Sequence, residues 1–335
     1  MKKTSKIFVA GHRGLVGSAI FRRLKSDGYS NLMTRTHAEL NLSSQTAVDA
    51  FLASEKPEYI FLAAAKVGGI MANSTYPADF IRENLLIETN VIDAAYRYGA
   101  KKLLFLGSSC IFPRLAPQPM KEEYLMTGPL EPTNSAYAVA KIAGIEMCRS
   151  YNKQYGTHFL PVMPTNLYGT NDNFDLMNSH ALPAMIRKFH IAKMASEGNF
   201  QAIAKDEARF GLIPEDIKAS LPKVILWGTG APKREFLYVD DLADACVYLL
   251  ENYEGTELVN IGTGEDKTIR ELAEMTRNAV GFKGETVFDS SKPDGMPQKL
   301  LDVSKMSRLG WRAKTDLETG IRQTYQWYIK TSADN

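Results

Sequence analysis

The sequence predicts an α/β fold: a doubly wound parallel sheet followed by a smaller, mixed α/β C-terminal lobe. Three observations carry that expectation. A short apolar run over residues 6–10 ends in a glycine turn and gives way to an amphipathic helical pattern. Short apolar runs and helical patterns then alternate along the first half of the chain, the pattern of parallel β-α-β units. Two of the runs, 59–65 and 102–106, are nearly continuous in apolar residues rather than alternating, as strands covered on both faces are.

The bulk properties bound the function. At 335 residues the chain can bury a large core, in one sizeable domain or two closely joined ones. A net charge of +2 without a long basic run argues against nucleic acid and an anionic membrane surface as partners. No apolar stretch approaches the roughly 20 residues of a membrane span, and the apolar run after the basic N-terminus is too short for a signal peptide. The three cysteines (Cys110, Cys148, Cys246) are odd in number and widely spaced, suggesting neither a disulfide framework nor a zinc site; no metal is expected. A cytoplasmic protein is the expectation.

The first strand, residues 6–10, runs into Gly11-His12-Arg13-Gly14-Leu15-Val16-Gly17. Gly11 would allow the tight turn, Gly14 the approach of a pyrophosphate, and Gly17 close packing of helix on strand. The helix that follows, with Leu15, Ile20, Phe21 and Leu24 inward, would offer its N-terminal amides and dipole to phosphate. The next strand, 31–34, leads to Arg35-Thr36-His37 with no carboxylate before Glu39. A carboxylate there would bind a ribose 2′-hydroxyl; a cation suits a 2′-phosphate, so Arg35, with Arg13 as a second cation, leans towards NADP. The run 59–65 leaves Lys66-Val67-Gly68-Gly69-Ile70 as a loop at the carboxyl end of its strand, where such sheets bind ligands. A long helix over 77–98 carries Asn84 and Asn90. The strand 102–106 ends in Gly107-Ser108-Ser109-Cys110, and a polar loop, 113–132, follows.

The next helix contains Tyr137-Ala138-Val139-Ala140-Lys141. Tyr137 and Lys141 are four residues apart and share one helical face. An ammonium there would lower the phenol's pKa from its ordinary value near 10, leaving a tyrosine able to exchange a proton near neutral pH. A strand over 158–163 follows despite Pro161, then Pro164-Thr165-Asn166-Leu167-Tyr168-Gly169. Beyond that the pattern loosens: a polar stretch at 172–180, a helix at 181–194, a charged segment at 195–223 with mixed helical periodicity, a strand at 224–227, a helix at 242–250, a strand at 258–262 and a helix at 269–280. Residues 1–170 are expected to form the cofactor-binding domain, taking back segments around 234–262, and 171–335 the substrate lobe.

The glycine-turn first strand, a serine after a later strand, and Tyr-x-x-x-Lys about thirty residues on together resemble the extended short-chain dehydrogenase/reductase family. Residues 10–17, 63–70, 106–111, 132–134, 164–169, 178–180 and 292–295 further resemble the GDP-L-fucose synthases of that family. The resemblance implies a Rossmann-type NADP-binding domain and a substrate of the GDP-4-keto-6-deoxy-D-mannose type. C3 and C5 of that sugar are inverted and C4 is then reduced with NADPH. It assigns Ser108, Tyr137 and Lys141 to the catalytic trio, Cys110 as the base and His180 as the acid of epimerisation. NADPH would be held by Gly11, Arg13, Gly14, Leu15, Val16 and Gly17, Arg35 and His37, Leu106, Gly107 and Ser108, Tyr137 and Lys141, Pro164, Thr165, Asn166 and Leu167, and His180. Asn166, Lys188, Trp227, Arg234 and Asp294 would bind substrate, and a homodimer is implied, formed through helices near Tyr137.

The chemistry gives these residue types a reason. C3 and C5 lie alpha to the C4 ketone, so their protons become removable once hydroxyl donors and a nearby cation stabilise the enolate oxygen. Inversion needs a base on one face and an acid on the other. Cys110 stands two residues after Ser108, and on an extended segment both side chains would project to one side. Trp227 would offer an aromatic face to guanine and Arg234 a fork to phosphate, unless Arg234 is spent in a salt bridge with Glu235 or Asp240.

Three features depart from the family's pattern: His37 stands where a second arginine is expected, Phe112 replaces a tyrosine, and 195–223 is roughly twenty residues longer, an insertion expected to be a neutral surface excursion. The alternatives are an epimerase-reductase or 4-reductase for another GDP-4-keto-deoxy sugar, such as a colitose or heptose precursor, and a non-catalytic NADP-binding sensor.

Overall fold

The computed structural model describes residues 1–292 and 294–333; Pro293 of the 292–295 motif and residues 334–335 of the expected lobe lie outside the described residues. The first half alternates strand and helix: β1 (Ile7–Ala10), α1 (Leu15–Ser26), β2 (Leu32–Met33), α2 (Gln45–Glu55), β3 (Tyr59–Leu62), α3 (Ile70–Thr75), α4 (Pro77–Arg97), β4 (Lys102–Leu106), α5 (Ser135–Tyr155) and β5 (Phe159–Pro164). There follow β6 (Asn166–Tyr168), α6 (Ala181–Ser196), α7 (Phe200–Phe210), α8 (Glu215–Ser220), β7 (Val224–Trp227), β8 (Lys233–Tyr238), α9 (Val239–Asn252) and β9 (Val259–Ile261). The chain ends with β10 (Asp266–Thr268), α10 (Ile269–Val280), β11 (Thr286–Asp289), β12 (Gln298–Lys299), α11 (Ser304–Arg308) and α12 (Leu317–Ala333).

The main sheet has the order β2-β1-β3-β4-β5-β9, every neighbouring pair parallel. The order reverses between β1 and β3, and such a switch point opens a crevice at the strands' carboxyl ends. Side chains alternate across the sheet, so the apolar run of β4 serves two cores. Leu103 and Phe105 pack with α4 and α5 (Val91, Ile92, Ile145), while Leu104 and Leu106 pack with α1 and α9 (Ile20, Leu24, Leu242). Pro161 is tolerated inside β5 because the β9 ladder begins one residue later, at Val162.

The chain returns to the main sheet late. After β8 joins β6, β10 and β12 in a second sheet, α9 packs against α1 and β9 forms the outer strand beside β5. β7 and β11, which bracket β8 and β10 in sequence, form a separate parallel pair. A third apolar core gathers α6, α10 and α12 around Phe189, Phe282 and Tyr328.

Two expectations need correction. β3 stops at Leu62 rather than running to Ala65. Beyond it the chain must skirt Gly11, whose φ is +87° and where a Cβ would stand 2.9 Å from the Ala64 nitrogen. The 195–223 insertion is not a loose excursion. Its helix α7 buries Asp206, which receives the Arg187 Nε of α6 at 2.8 Å and the Tyr328 hydroxyl of α12. Arg187, wholly buried, also donates to the carbonyls of Phe174 (3.2 Å) and Phe210 (2.9 Å). The insertion thus closes one side of the lobe's core.

Candidate active site

A cavity of about 800 Å³ opens at the carboxyl ends of β1, β3, β4 and β5. Its floor is the glycine turn. A Cβ on Gly17 would come 2.2 Å from the Gly11 oxygen, so the first turn of α1 can seat against the loop only because residue 17 lacks one. Gly14 caps α1 without any side-chain bond, and Gly14, Leu15 and Val16 line the cavity. The amides of the first turn are therefore left for an anion. This cradle fits a dinucleotide pyrophosphate.

Arg35 and His37 line the cavity beyond β2, and Arg13 is exposed beside it. Arg35 also meets a carboxylate that the sequence reading did not weigh, Glu55 of α2, at 3.2 Å, and its guanidinium lies 5.0 Å from the Phe51 ring. Glu39 turns away and accepts from the Thr36 amide at 2.7 Å.

Ser108, Cys110, Tyr137, Lys141 and His180 all line the same cavity, with Leu106, Gly107 and the segment from Pro164 to Leu167. The geometry behind this differs from the expected extended segment. Ser108 is extended, but Ser109–Ile111 form a 3₁₀ turn, and the Ser108 Oγ accepts from the Cys110 amide at 3.3 Å. The turn, rather than strand alternation, puts hydroxyl and thiol on one cavity. The Asn134 Nδ2 donates to the Cys110 carbonyl at 3.1 Å, tying this turn to the start of α5.

His180 arrives from a different part of the chain. The Gly69 amide donates to the Asn178 carbonyl at 3.2 Å, and a Cβ on Gly69 would sit 3.1 Å from the Ser179 oxygen. The Gly68-Gly69 pair therefore lets the loop after β3 press against the segment that ends at His180. Asn73 holds that loop by donating to the carbonyls of Gly68 (2.8 Å) and Gly69 (3.0 Å). Buried Asn84 does the same for Lys66, accepting from its amide and donating to its carbonyl, each at 3.0 Å.

The electrostatics overturn one expectation. Tyr137 is not lowered by Lys141. Burial pushes its phenol above the ordinary value, the Cys110 thiol and the Glu88 carboxylate add to the rise, and a hydrogen bond with Ser108 opposes it. The reason lies on α4: the Lys141 ammonium meets Glu88 at 3.0 Å, both side chains almost wholly buried, so its charge is already balanced. The surrounding protein lowers His180, favouring the neutral imidazole. Asp172, also lining the cavity, has an Oδ2 sealed from solvent with no hydrogen-bond partner, and burial raises its carboxyl to about 7.

Gly17, Arg13, Lys188, Trp227, Arg234 and Asp294 do not line this cavity. The last four gather around β7, β8 and the loop between them. The Lys188 ammonium donates to the Ile225 carbonyl at 3.2 Å, Trp227 next to it on β7 is 58% exposed, and Lys292 lies over the Trp227 ring at 5.7 Å. Asp294 accepts from the Thr229 amide (2.6 Å) and hydroxyl (2.7 Å). Arg234 makes no ion pair among the described residues. Asp240 pairs with Arg22 at 2.6 Å. Glu235 is wholly buried and accepts from the amides of Thr263 (2.6 Å), Gly264 (2.8 Å) and Leu301 (2.9 Å). Burial lowers the pKa of Arg234, and the nearby Cys110 thiol opposes that shift. Asn166 spends its amide on the Glu235 carbonyl, at 2.8 Å.

The residues missed by the sequence reading are Glu88, Asp172, Asn134 and Glu55. One signal was available for the first: Phe80, Asn84, Glu88 and Ala95 fall on the buried face of α4, so two polar residues interrupt an apolar stripe. Among the described residues no cluster of three His, Cys, Asp or Glu could hold a metal, and no helix is long and apolar enough to cross a membrane.

Residues 7–262 match the NAD dependent epimerase/dehydratase family. The chain is 56% identical to GDP-L-fucose synthase 1 of Arabidopsis thaliana over 328 residues, covering 98% of this chain and 94% of that one. Among solved structures it is similar to a GDP-6-OMe-4-keto-L-xylo-heptose reductase from C. jejuni, at 43% identity, 99% of each chain and a TM-score of 0.92. It is also similar to a GDP-L-fucose synthetase from Naegleria fowleri bound to NADP, at 27% identity, covering 100% and 97% of the chains, with a TM-score of 0.85.

Proposed function

The chain belongs to the NAD dependent epimerase/dehydratase family, and from that premise we propose that it converts GDP-4-keto-6-deoxy-D-mannose to GDP-L-fucose, epimerising C3 and C5 and reducing C4 with NADPH. The observation that carries this reading is the meeting of Ser108, Cys110, Tyr137, Lys141 and His180 on one cavity, beside a glycine turn shaped for a pyrophosphate. The cofactor-binding part is residues 1–170 with α9 and β9. The substrate lobe is the remainder, with Lys188, Trp227, Arg234 and Asp294 facing the nucleotide.

The residues divide the work by their states. The Ser108 Oγ accepts the Cys110 amide, and its own proton, shared with Tyr137 in the free protein, turns to the C4 oxygen of the sugar. Tyr137 keeps its proton and donates alongside. Two donors on the oxygen stabilise the enolate that forms when a proton leaves C3 or C5. Cys110 takes that proton and His180 returns one to the opposite face. In the free protein burial favours the neutral form of His180, so it takes up a proton before it can return one. Bound NADPH supplies hydride to C4. Reduction then calls for an acid, and a phenol held above its ordinary pKa is one: Tyr137 gives its proton to the C4 oxygen.

We place the protein in the cytoplasm and read it as a homodimer formed through α4 and α5, where Val139 and Tyr155 are 44% and 46% exposed. A 4-reductase acting on another GDP-keto-sugar is the second reading, favoured by the similarity to the heptose reductase. Cys110 and His180 on the reaction cavity argue against it, since reduction alone needs neither.

The test is product formation with purified protein, GDP-4-keto-6-deoxy-D-mannose and NADPH. One GDP-L-fucose per NADPH oxidised is expected. Tyr137→Phe should lower turnover by roughly 10²–10⁴-fold, and Cys110→Ser should yield no GDP-L-fucose while still binding NADPH. A wild-type product reduced at C4 but with C3 and C5 unchanged would replace this reading with the second.

A further inference from the structure

The strongest unassigned feature is the buried pair beneath the active cavity. Glu88 lies on α4 and Lys141 on α5, with Nζ and Oε1 3.0 Å apart and side chains 1% and 2% exposed. The carboxylate's Oε2 is sealed from solvent and has no hydrogen-bond partner. A Cβ at Gly144 would stand 2.9 Å from that oxygen and 2.4 Å from the Phe105 ring, and Lys141 itself sits 4.6 Å from the centre of that ring. The glycine makes room for the pair. A buried ion pair does little for stability by itself, since apolar groups of similar volume often serve as well.

Resting on the reading above, we propose that Glu88 is a positioning residue of the reaction: its buried carboxylate fixes the Lys141 ammonium one helical turn from Tyr137 and supplies the charge that balances it. Its effect on the tyrosine runs through charge. The titratable groups around the pair are Tyr137, Lys141 and Cys148 on α5, and Cys110 after β4; Glu83 and Lys66 line the cavity further out, paired with each other at 2.7 Å. Both Cys110 and Glu88 hold the phenol up, and burial holds Glu88 itself above the ordinary carboxylate range. With Glu88 neutralised, the Lys141 charge is uncompensated and favours the phenolate. An acid that must be protonated to act then loses its proton at lower pH.

The experiment is a titration of Tyr137 by NMR in the NADP-bound protein carrying ring-labelled tyrosine, its signal assigned by loss in Tyr137→Phe. The wild type should stay protonated to the highest pH at which it remains folded. Glu88→Gln should ionise at a pH lower by about one unit or more. In the same preparations, the alkaline limb of NADPH oxidation with the keto-sugar should fall by a similar interval in Glu88→Gln. Coincident tyrosine titrations in the two proteins would overturn the proposal. If Glu88→Gln does not fold, Glu88→Asp decides. It keeps the charge but withdraws it by one methylene, and should fold, bind NADPH and turn over at least tenfold more slowly. Wild-type turnover by Glu88→Asp would overturn it. A wild type that oxidises no NADPH with this sugar rejects the proposed function instead, while the tyrosine titration still decides the role of Glu88.

Discussion

Asp172 carries a cost that a melting curve can read. Its carboxyl is raised to about 7 in the folded protein against 3.8 when free, because Oδ2 is sealed without a partner while Oδ1 accepts the Asn173 amide at 2.8 Å. The folded state binds more protons than the unfolded one between those values, so this group favours folding below pH 3.8 and loses that contribution as pH rises through 7. Asp172→Asn should therefore stabilise the protein at pH 8, by on the order of 1–3 kcal/mol after allowance for partial exposure, and leave stability near pH 4 unchanged. Equal Tm differences at both pH values would show that the charge is not the cause. A second residue-scale prediction concerns the cofactor. The Arg35–Glu55 pair is half-exposed and worth little by itself, which leaves the guanidinium fork available to a 2′-phosphate. Arg35→Ala should weaken NADPH binding by about 1–2 kcal/mol and NADH binding hardly at all, as measured by fluorescence titration.

The elements show which parts of the site were legible in the chain and which were not. The glycine turn, the buried strand before Ser108 and the Tyr137 helix are local patterns, and the sequence alone is enough to place them. The 3₁₀ turn at Ser109–Ile111 was not readable, because its local bonds are joined by one from Asn134, twenty-four residues away. Glu88 left a trace as a polar residue on an apolar stripe, but its meaning depends on a partner fifty-three positions on. The same holds for the insertion. A charged segment reads as surface until Arg187 and Asp206 are seen to be buried together at 2.8 Å. Breaking such a pair leaves a charge unpaired in the core, so Asp206→Ala should cost about 3–5 kcal/mol. Replacing both residues with apolar ones should cost less than either single change. Chemical denaturation of the three variants measures this, and a double variant as unstable as the sum of the singles would contradict the account.

At the scale of the whole molecule, the two binding regions are held by a chain that crosses between them repeatedly. The main sheet is completed by β9, which follows β7 and β8 in sequence. Arg234 on β8 is thereby tied to the cofactor side: Thr165 and Asn166, which line the main cavity, both donate to the carbonyl of its neighbour Glu235, at 3.3 and 2.8 Å. Alternation of strands and helices predicted the sheet, whereas the return of the late strand to its edge is a long-range pairing with no local signature. On the proposed function, this tie between β8 and the main cavity would hold the nucleotide end and the reacting end of one substrate at a fixed spacing.

If one cavity both epimerises and reduces, solvent hydrogen must enter the product at C3 and C5 before C4 is reduced. The reaction is run in D₂O with the wild-type protein, GDP-4-keto-6-deoxy-D-mannose and NADPH, and the product is read by NMR. GDP-L-fucose carrying deuterium at C3 and C5 is expected, with the hydrogen at C4 coming from NADPH. A product reduced at C4 and free of solvent deuterium at both neighbouring carbons would contradict the dual activity.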